Sequence, residues 1–349
     1  MDNRQSRIFF KLTPEQSDRP KSPTKKTALR LLRAALAVAP LVWIYASTDA
    51  AALAAALSSV SVPLLAALAA LVFLNMTLQG AKWWVLIRRF VPELKLAKAV
   101  SVHIESAFYA IVLPSAAAQD VVKSVILSKS HNPSVVWAAS WLARLIGFFP
   151  LLAFSLIGTL YLSDDVLPPG FRASMAAAVA IIALLCAASF SKTLTRPVLA
   201  AATKIVPGKI MAKIEKLRDG IYAFKYARGT LAQTLLFSAV NHFLIIFAAS
   251  LAVYAVSGKF YLMECLAFVP LVEIMVLSIP LTPGGTGIRE ALMALLFIQL
   301  GFSAEQIATY VTISLLVTVA TRLAGGSPIL YRALKSSFGG RNRSSDPKR

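Results

Sequence analysis

The sequence predicts an all-α polytopic membrane protein with six full spans and two opposed re-entrant helical hairpins in an inverted repeat. Three observations lead there. Of the 349 residues 57% are hydrophobic and only 15% charged, and the mean hydropathy is +0.69, outside the range of an ordinary soluble domain. The apolar residues gather in runs of roughly 20 or more, the length that crosses a bilayer. Lysine and arginine gather between those runs, and basic residues concentrate in cytoplasmic loops. The net charge of +20 is therefore not one basic face, which excludes a nucleic-acid binder. Three histidines and two cysteines are too few and too scattered for a metal cluster. Cys186 and Cys265 lie in apolar runs and read as small buried residues, with no disulfide expected.

Residues 1–28 form a basic tail, expected to be disordered and cytoplasmic, too long and polar to lead a secretory signal. Residues 29–47 are the first span. The loop STDAAALAAALSS carries Asp49 and no basic residue, so it is external. Residues 60–87 return, and Arg88, Arg89, Lys95 and Lys98 mark cytoplasm. Lys82 is expected to snorkel to the interface beside Trp83 and Trp84. Residues 99–130 have basic residues at both ends and are too short for two crossings, so they read as a hairpin turning near Pro114. Residues 133–162 cross outward, with Asn132 as N-cap and Pro133 in the first turn.

The loop after residue 162 carries Asp164 and Asp165 and reads as external, and residues 173–191 come back in. Residues 192–230 form a cytoplasmic connector, in which Ile210, Ile214, Leu217, Ile221 and Phe224 recur at helical spacing opposite Lys209, Lys213 and Lys216. That pattern is an amphipathic helix suited to the membrane interface, or a solvated connector. Residues 231–257 cross outward, and residues 306–328 cross inward to the basic tail 329–349. The segment between them, residues 262–300, must then return to its own side as a second hairpin. Two membrane repeats result, 29–162 and 173–328, each reading span, span, hairpin, span from opposite sides. His103 and His242 are expected to be satisfied polar residues in packed helices.

The second hairpin holds LTPGGTGIRE at residues 281–290. Proline ends a first leg there, and Gly284, Gly285 and Gly287 permit a tight reversal at membrane depth. The second leg begins with free N–H groups that favour an anion such as a phosphate. Arg289 can add a bidentate contact, and Glu290 can neutralise Arg289 or handle a proton. Arg289 and Glu290 can equally pair with each other or with the other hairpin and only lock the fold. Asp120, Lys123, Arg144 and Arg322 are the other candidates for a headgroup site. Asp120 and Lys123 stand three apart on one helical face and can pair. The hairpins also share an order of acid, proline, acid: Glu105, Pro114, Asp120 and Glu273, Pro283, Glu290.

On these residues the chain resembles the lysylphosphatidylglycerol synthase transmembrane region family of flippase-like membrane proteins, over roughly residues 30–330. The most specific part is PGGTGIREALMALLFIQLGFSAEQIATYVTISLLVTVATRLAGG, with LPSAAAQDVVKSVILSKS and SWLARLIGF as further matches. Where the family's first hairpin carries glycines before the aspartate and an arginine after it, this chain has Ala117, Ala118, Gln119 and then Lys123. The resemblance implies a bacterial inner-membrane protein, and the basic tails at both ends are expected to be cytoplasmic. It implies a flippase-like transporter of a lipid with a phosphate-bearing headgroup, for envelope lipid or glycolipid assembly. The competing class is a non-transporting accessory subunit, with an envelope lipid or glycan biosynthesis enzyme as its partner. Family synthases carry a separate soluble aminoacyltransferase domain, and this sequence ends about twenty residues after its last span, so aminoacyl transfer is not expected. No cofactor is expected either.

Overall fold

The computed structural model describes residues 23–111, 113, 117–163, 167, 169–191, 193, 195–196, 207–278, 282–327 and 329. All regular structure among them is helical. Residues 1–22, Pro114, the acidic pair Asp164 and Asp165 and the C-terminal tail lie outside the described residues.

Helix α1 (Pro23–Ala46) is followed at once by α2 (Ala50–Ser59). The predicted external loop is thus a helix. Its alanine and leucine content favours one, and the Asp49 side chain caps it by accepting from the Ala51 N–H at 3.1 Å. The apolar part of α1, residues 34–46, meets α2 at a bend of 94°, so the first predicted span is at most a broken one. Among the described residues five helices are long and apolar enough to cross a membrane. They are α3 (Val62–Ile87), α6 (Pro133–Tyr161), α7 (Phe171–Ser189), α9 (Arg228–Ser257) and α12 (Ala304–Ala324). The α6 start follows the sequence closely, since Asn132 accepts from the Ser134 N–H at 2.9 Å with Pro133 in the first turn.

Each segment read as a hairpin is a pair of short helices packed on each other. The first comprises α4 (Leu96–Tyr109) and α5 (Ala118–Ser128). The second comprises α10 (Leu262–Ser278), a 3-10 turn (Pro283–Gly285) and α11 (Ile288–Gln299). The longest of these legs has 17 residues, short of the roughly 20 that a crossing needs.

Helix α8 (Gly208–Tyr222) is the predicted amphipathic connector. Ile221 and, just past the helix, Phe224 are buried in the cluster that contains Val136 and Ala139 of α6, while Ile210 is 50% exposed. One end of the apolar stripe therefore serves the protein core.

The packing pairs fall into two matching sets. Helix α3 meets α4 as α9 meets α10, and α5 meets α6 as α11 meets α12. Helix α4 touches α12 as α10 touches α6, and α3 and α9 pack on each other. Glycine makes both cross-contacts close. A Cβ at Gly325 would lie 2.6 Å from the Ile104 carbonyl oxygen, and one at Gly158 would fall on the Leu266–Ala267 backbone. Small residues let helix backbones approach in membranes, where burial from water supplies no drive between helices.

Candidate functional site

Between the two sets of helices lies a cavity of about 360 Å³. Its wall holds five cationic side chains, Lys82, Lys123, Arg144, Arg289 and Arg322, against two carboxylates, Asp120 and Glu273. Ionisable groups inside a membrane protein are costly and face the interior, paired with one another or with a ligand.

On the first hairpin Asp120 sits in the first turn of α5. Its Oδ1 is 2.5 Å from Lys123 Nζ, the pair expected from their spacing. Its Oδ2 accepts from Arg144 Nε at 2.8 Å and from Arg144 Nη2, which ties α5 to α6. The backing is rigid: Trp83 Nε1 donates to Ser140 Oγ at 2.8 Å, which is 2.7 Å from Ser124 Oγ. Lys123 Nζ lies 5.2 Å from the centre of the Trp83 ring, within cation–π range. Trp83 is fully buried, and with it Lys82 turns inward. The snorkelling expected of Lys82 does not occur, because this face of α3 meets α9 and α6, not the headgroup region. A Cβ at Gly147 of α6 would lie 3.7 Å from Lys82 Nζ and 3.4 Å from His242 Nε2. His103 and His242 both line the cavity, and among the described residues the buried Nδ1 of His103 lacks a hydrogen-bond partner, so His103 is not the fully satisfied residue expected. His103 Nε2 is 3.0 Å from Gln119 Nε2.

The second hairpin corrects three expectations. Arg289 does not pair with Glu290 or with the first hairpin. Its Nε donates to Glu273 Oε1 at 3.0 Å and its Nη2 to Oε2 at 3.4 Å, a fork across the two legs of one hairpin. Glu290 instead accepts from the Gly287 N–H at 2.6 Å. The helix start read as an open anion site is thus capped by its own carboxylate. Of the three glycines only Gly284 lines the cavity; Gly285 and Gly287 pack into protein.

The turn residues are fixed by what lies against them. Gly284 has φ 58°, and a Cβ there would run into the Arg322 guanidinium. Gly287 has φ 86°, and a Cβ there would strike the Ala37 carbonyl of α1. Only glycine combines left-handed backbone with such close approach. Arg322 thereby reaches the cavity from α12 over the bare backbone of the turn. Among the described residues neither Arg322 nor Lys82 has a carboxylate within ion-pairing distance.

Glu273, Lys82, Asn75, Gln79 and Asn241 are cavity residues that the sequence left unassigned to a site. A signal was available: polar residues at helical spacing within an apolar span, as in Asn75, Gln79 and Lys82, mark a face that avoids lipid.

Span-length helices around a charged interior define a multi-pass membrane protein. The chain belongs to the family of the lysylphosphatidylglycerol synthase transmembrane region, whose model matches residues 30–326. That family is the membrane region of a lipid-synthesising enzyme. Comparison with curated proteins and with solved structures gives no match.

Proposed function

We propose that this protein is a flippase-like transporter that takes a lipid by a phosphate-bearing headgroup, in envelope lipid or glycolipid assembly. The observation that carries the reading is the imbalance of charge in the cavity. Asp120 is already shared by Lys123 and Arg144, and Glu273 is engaged by Arg289. Lys82 and Arg322 remain as cations facing the same space. A desolvated cation without a counter-ion is unfavourable, and a phosphate entering from the bilayer relieves it. The volume suits a headgroup. Leu68, Val72, Ile245 and Ala252 continue the wall in apolar form, suited to the start of hydrocarbon tails.

The matching packing sets support two repeats, each with a re-entrant hairpin that brings charged residues near its break to the cavity, the arrangement used for alternating access. The distribution of basic residues supports cytoplasmic termini in a bacterial inner membrane.

The test is the lipid retained by purified protein, identified by mass spectrometry for wild type and for Arg322→Gln at equal expression. An enriched phosphate-bearing lipid that is lost from the variant supports the reading. No enrichment in wild type overturns it and leaves the accessory subunit of an envelope enzyme.

A further inference from the structure

The cavity wall holds two imidazoles besides its fixed charges, and they are placed differently. His103 of α4 is 2% exposed, and its Nε2 is taken up by Gln119 at 3.0 Å. His242 of α9 is only half-buried and lines the cavity. It faces Lys82 of α3 across the bare backbone of Gly147 on α6. A Cβ at Gly147 would lie 3.4 Å from His242 Nε2 and 3.7 Å from Lys82 Nζ, so a side chain there would stand between them. The two nitrogens are at most about 7 Å apart, the sum of those distances. The other ionisable groups on the wall are Asp120 and Lys123 of α5, Arg144 of α6, Glu273 of α10, Arg289 of α11, and Tyr310 and Arg322 of α12. Both carboxylates are engaged by Lys123, Arg144 and Arg289. A proton on His242 thus adds a positive charge beside Lys82, in a wall where cations are already in excess. At that range, with an effective dielectric of about 20, two like charges oppose each other by at least about tenfold in an equilibrium constant.

We propose that anion binding in the cavity is coupled to a proton through His242, so that the ligand moves together with one proton. The inference rests on the phosphate-headgroup reading and deepens it with a link to an energy source, the proton gradient. Histidine is the side chain whose charge changes between about pH 5 and 8. With the cavity empty, an imidazolium at His242 is opposed by Lys82 and by the other open cation, Arg322. When a phosphate enters, its negative charge offsets that repulsion, and the imidazole takes one proton from water to become imidazolium. When the phosphate leaves, the proton returns to water and the imidazole is neutral again. A singly charged headgroup and its proton thus enter as a neutral pair, and the cavity carries the same charge full as empty. Such coupling is reciprocal: the proton favours the anion as much as the anion favours the proton.

The experiment measures phosphatidylglycerol retained by the protein in phosphatidylcholine nanodiscs from about pH 6 to about pH 8, by mass spectrometry of the extracted lipid. The probe's phosphodiester keeps one negative charge throughout that range, so any dependence on pH belongs to the protein. The bound state holds the extra proton, so retention is strongest at low pH and weakens as pH rises. Wild type is expected to lose about tenfold across the range, a usual size for coupling between two sites. His242→Gln is expected to give a level that does not change with pH. Lys82→Arg keeps a charge that cannot be removed and is expected to keep the slope; its loss there assigns the titration to Lys82 and overturns the proposal. His131→Gln, remote in the α5–α6 loop, is expected to keep both level and slope. Arg322→Gln is expected to weaken retention at every pH with the slope preserved. A level wild-type profile, a slope of opposite sign, or a slope that survives in His242→Gln overturns the coupling and leaves the phosphate reading standing. No retention by wild type at any pH overturns both. Should His242→Gln fail to fold, His242→Asn takes its place, and the wild-type profile can overturn the coupling without any variant.

Discussion

In the first hairpin the charge just after the break is a carboxylate, Asp120, and the following span reaches in to hold it through Arg144. In the second it is a guanidinium, Arg289, and the partner is Glu273 on the hairpin's own first leg. Among the described residues the arginine of the following span, Arg322, therefore stays without a carboxylate on one side, while its counterpart on the other is spent on structure. The turns differ to match. Ala117 and Ala118 lead into α5 in right-handed helical backbone, whereas Gly284 must be bare for Arg322 to pass. The contrast teaches that one architecture can use its charges for cohesion at one break and leave them available at the other.

The largest effect separating the two is expected from Asp120→Asn. It removes one carboxylate from between Lys123 and Arg144 and leaves both cations in a low-dielectric site, at a cost of about 3–5 kcal/mol. Loss of monodisperse protein in detergent, or a strongly lowered thermal midpoint, checks it. An unchanged midpoint breaks the assignment of cohesion to the first hairpin.

Next in size is Glu273→Gln, which strands the single cation Arg289 and is expected to destabilise by about 3 kcal/mol. Adding Arg289→Met should restore part of that. A double-mutant cycle is expected to give a coupling of about 1–3 kcal/mol, read from thermal melts of all four proteins. Coupling near zero would mean that the fork of Glu273 and Arg289 contributes nothing.

The turns come third. Gly284→Ala forces a Cβ into left-handed backbone, worth about 1–2 kcal/mol, and displaces Arg322, so lipid retention should fall with stability. The mirror change, Ala118→Gly, lowers helix propensity by about 1 kcal/mol and should leave retention as it was. Equal behaviour of the two variants would erase the distinction between the turns.

The smallest change in stability is expected for Arg322→Gln, near zero or slightly favourable, because no ion pair among the described residues is lost. Its effect is on the ligand, with retained phosphate-bearing lipid expected to fall about tenfold, the worth of one charge-assisted contact. A large loss of stability with retention intact would assign Arg322 to the fold.

Much of the framework was legible in residue order because its causes are local. Apolar runs of span length fix where α3, α6, α7, α9 and α12 lie, and short apolar segments with a break fix the two helix pairs. Asn132 and Pro133 set the start of α6 through a cap that involves only neighbours. The pair of Asp120 and Lys123 follows from i, i+3 spacing alone. Helix α2 stands where a lack of basic residues alone predicts an external loop, because charge distribution marks a side of the membrane and not a backbone conformation, which alanine and leucine set as helical.

The partners across the cavity were not legible. Local spacing cannot choose between Glu290 and Glu273 for Arg289, since the choice depends on how the two legs fold onto each other. The same holds for Lys82, which sits near the end of a span as a snorkelling lysine does, yet turns inward because α3 packs on α9 and α6. Sequence by itself thus determined a helical membrane protein of this family, the place of its five span-length helices and the glycine turn of the second helix pair, because hydrophobic length and backbone permissiveness act within a few residues. Only the tertiary structure decided which carboxylates are spent and which cations remain open, because each is settled by groups far apart in the chain that meet at one cavity.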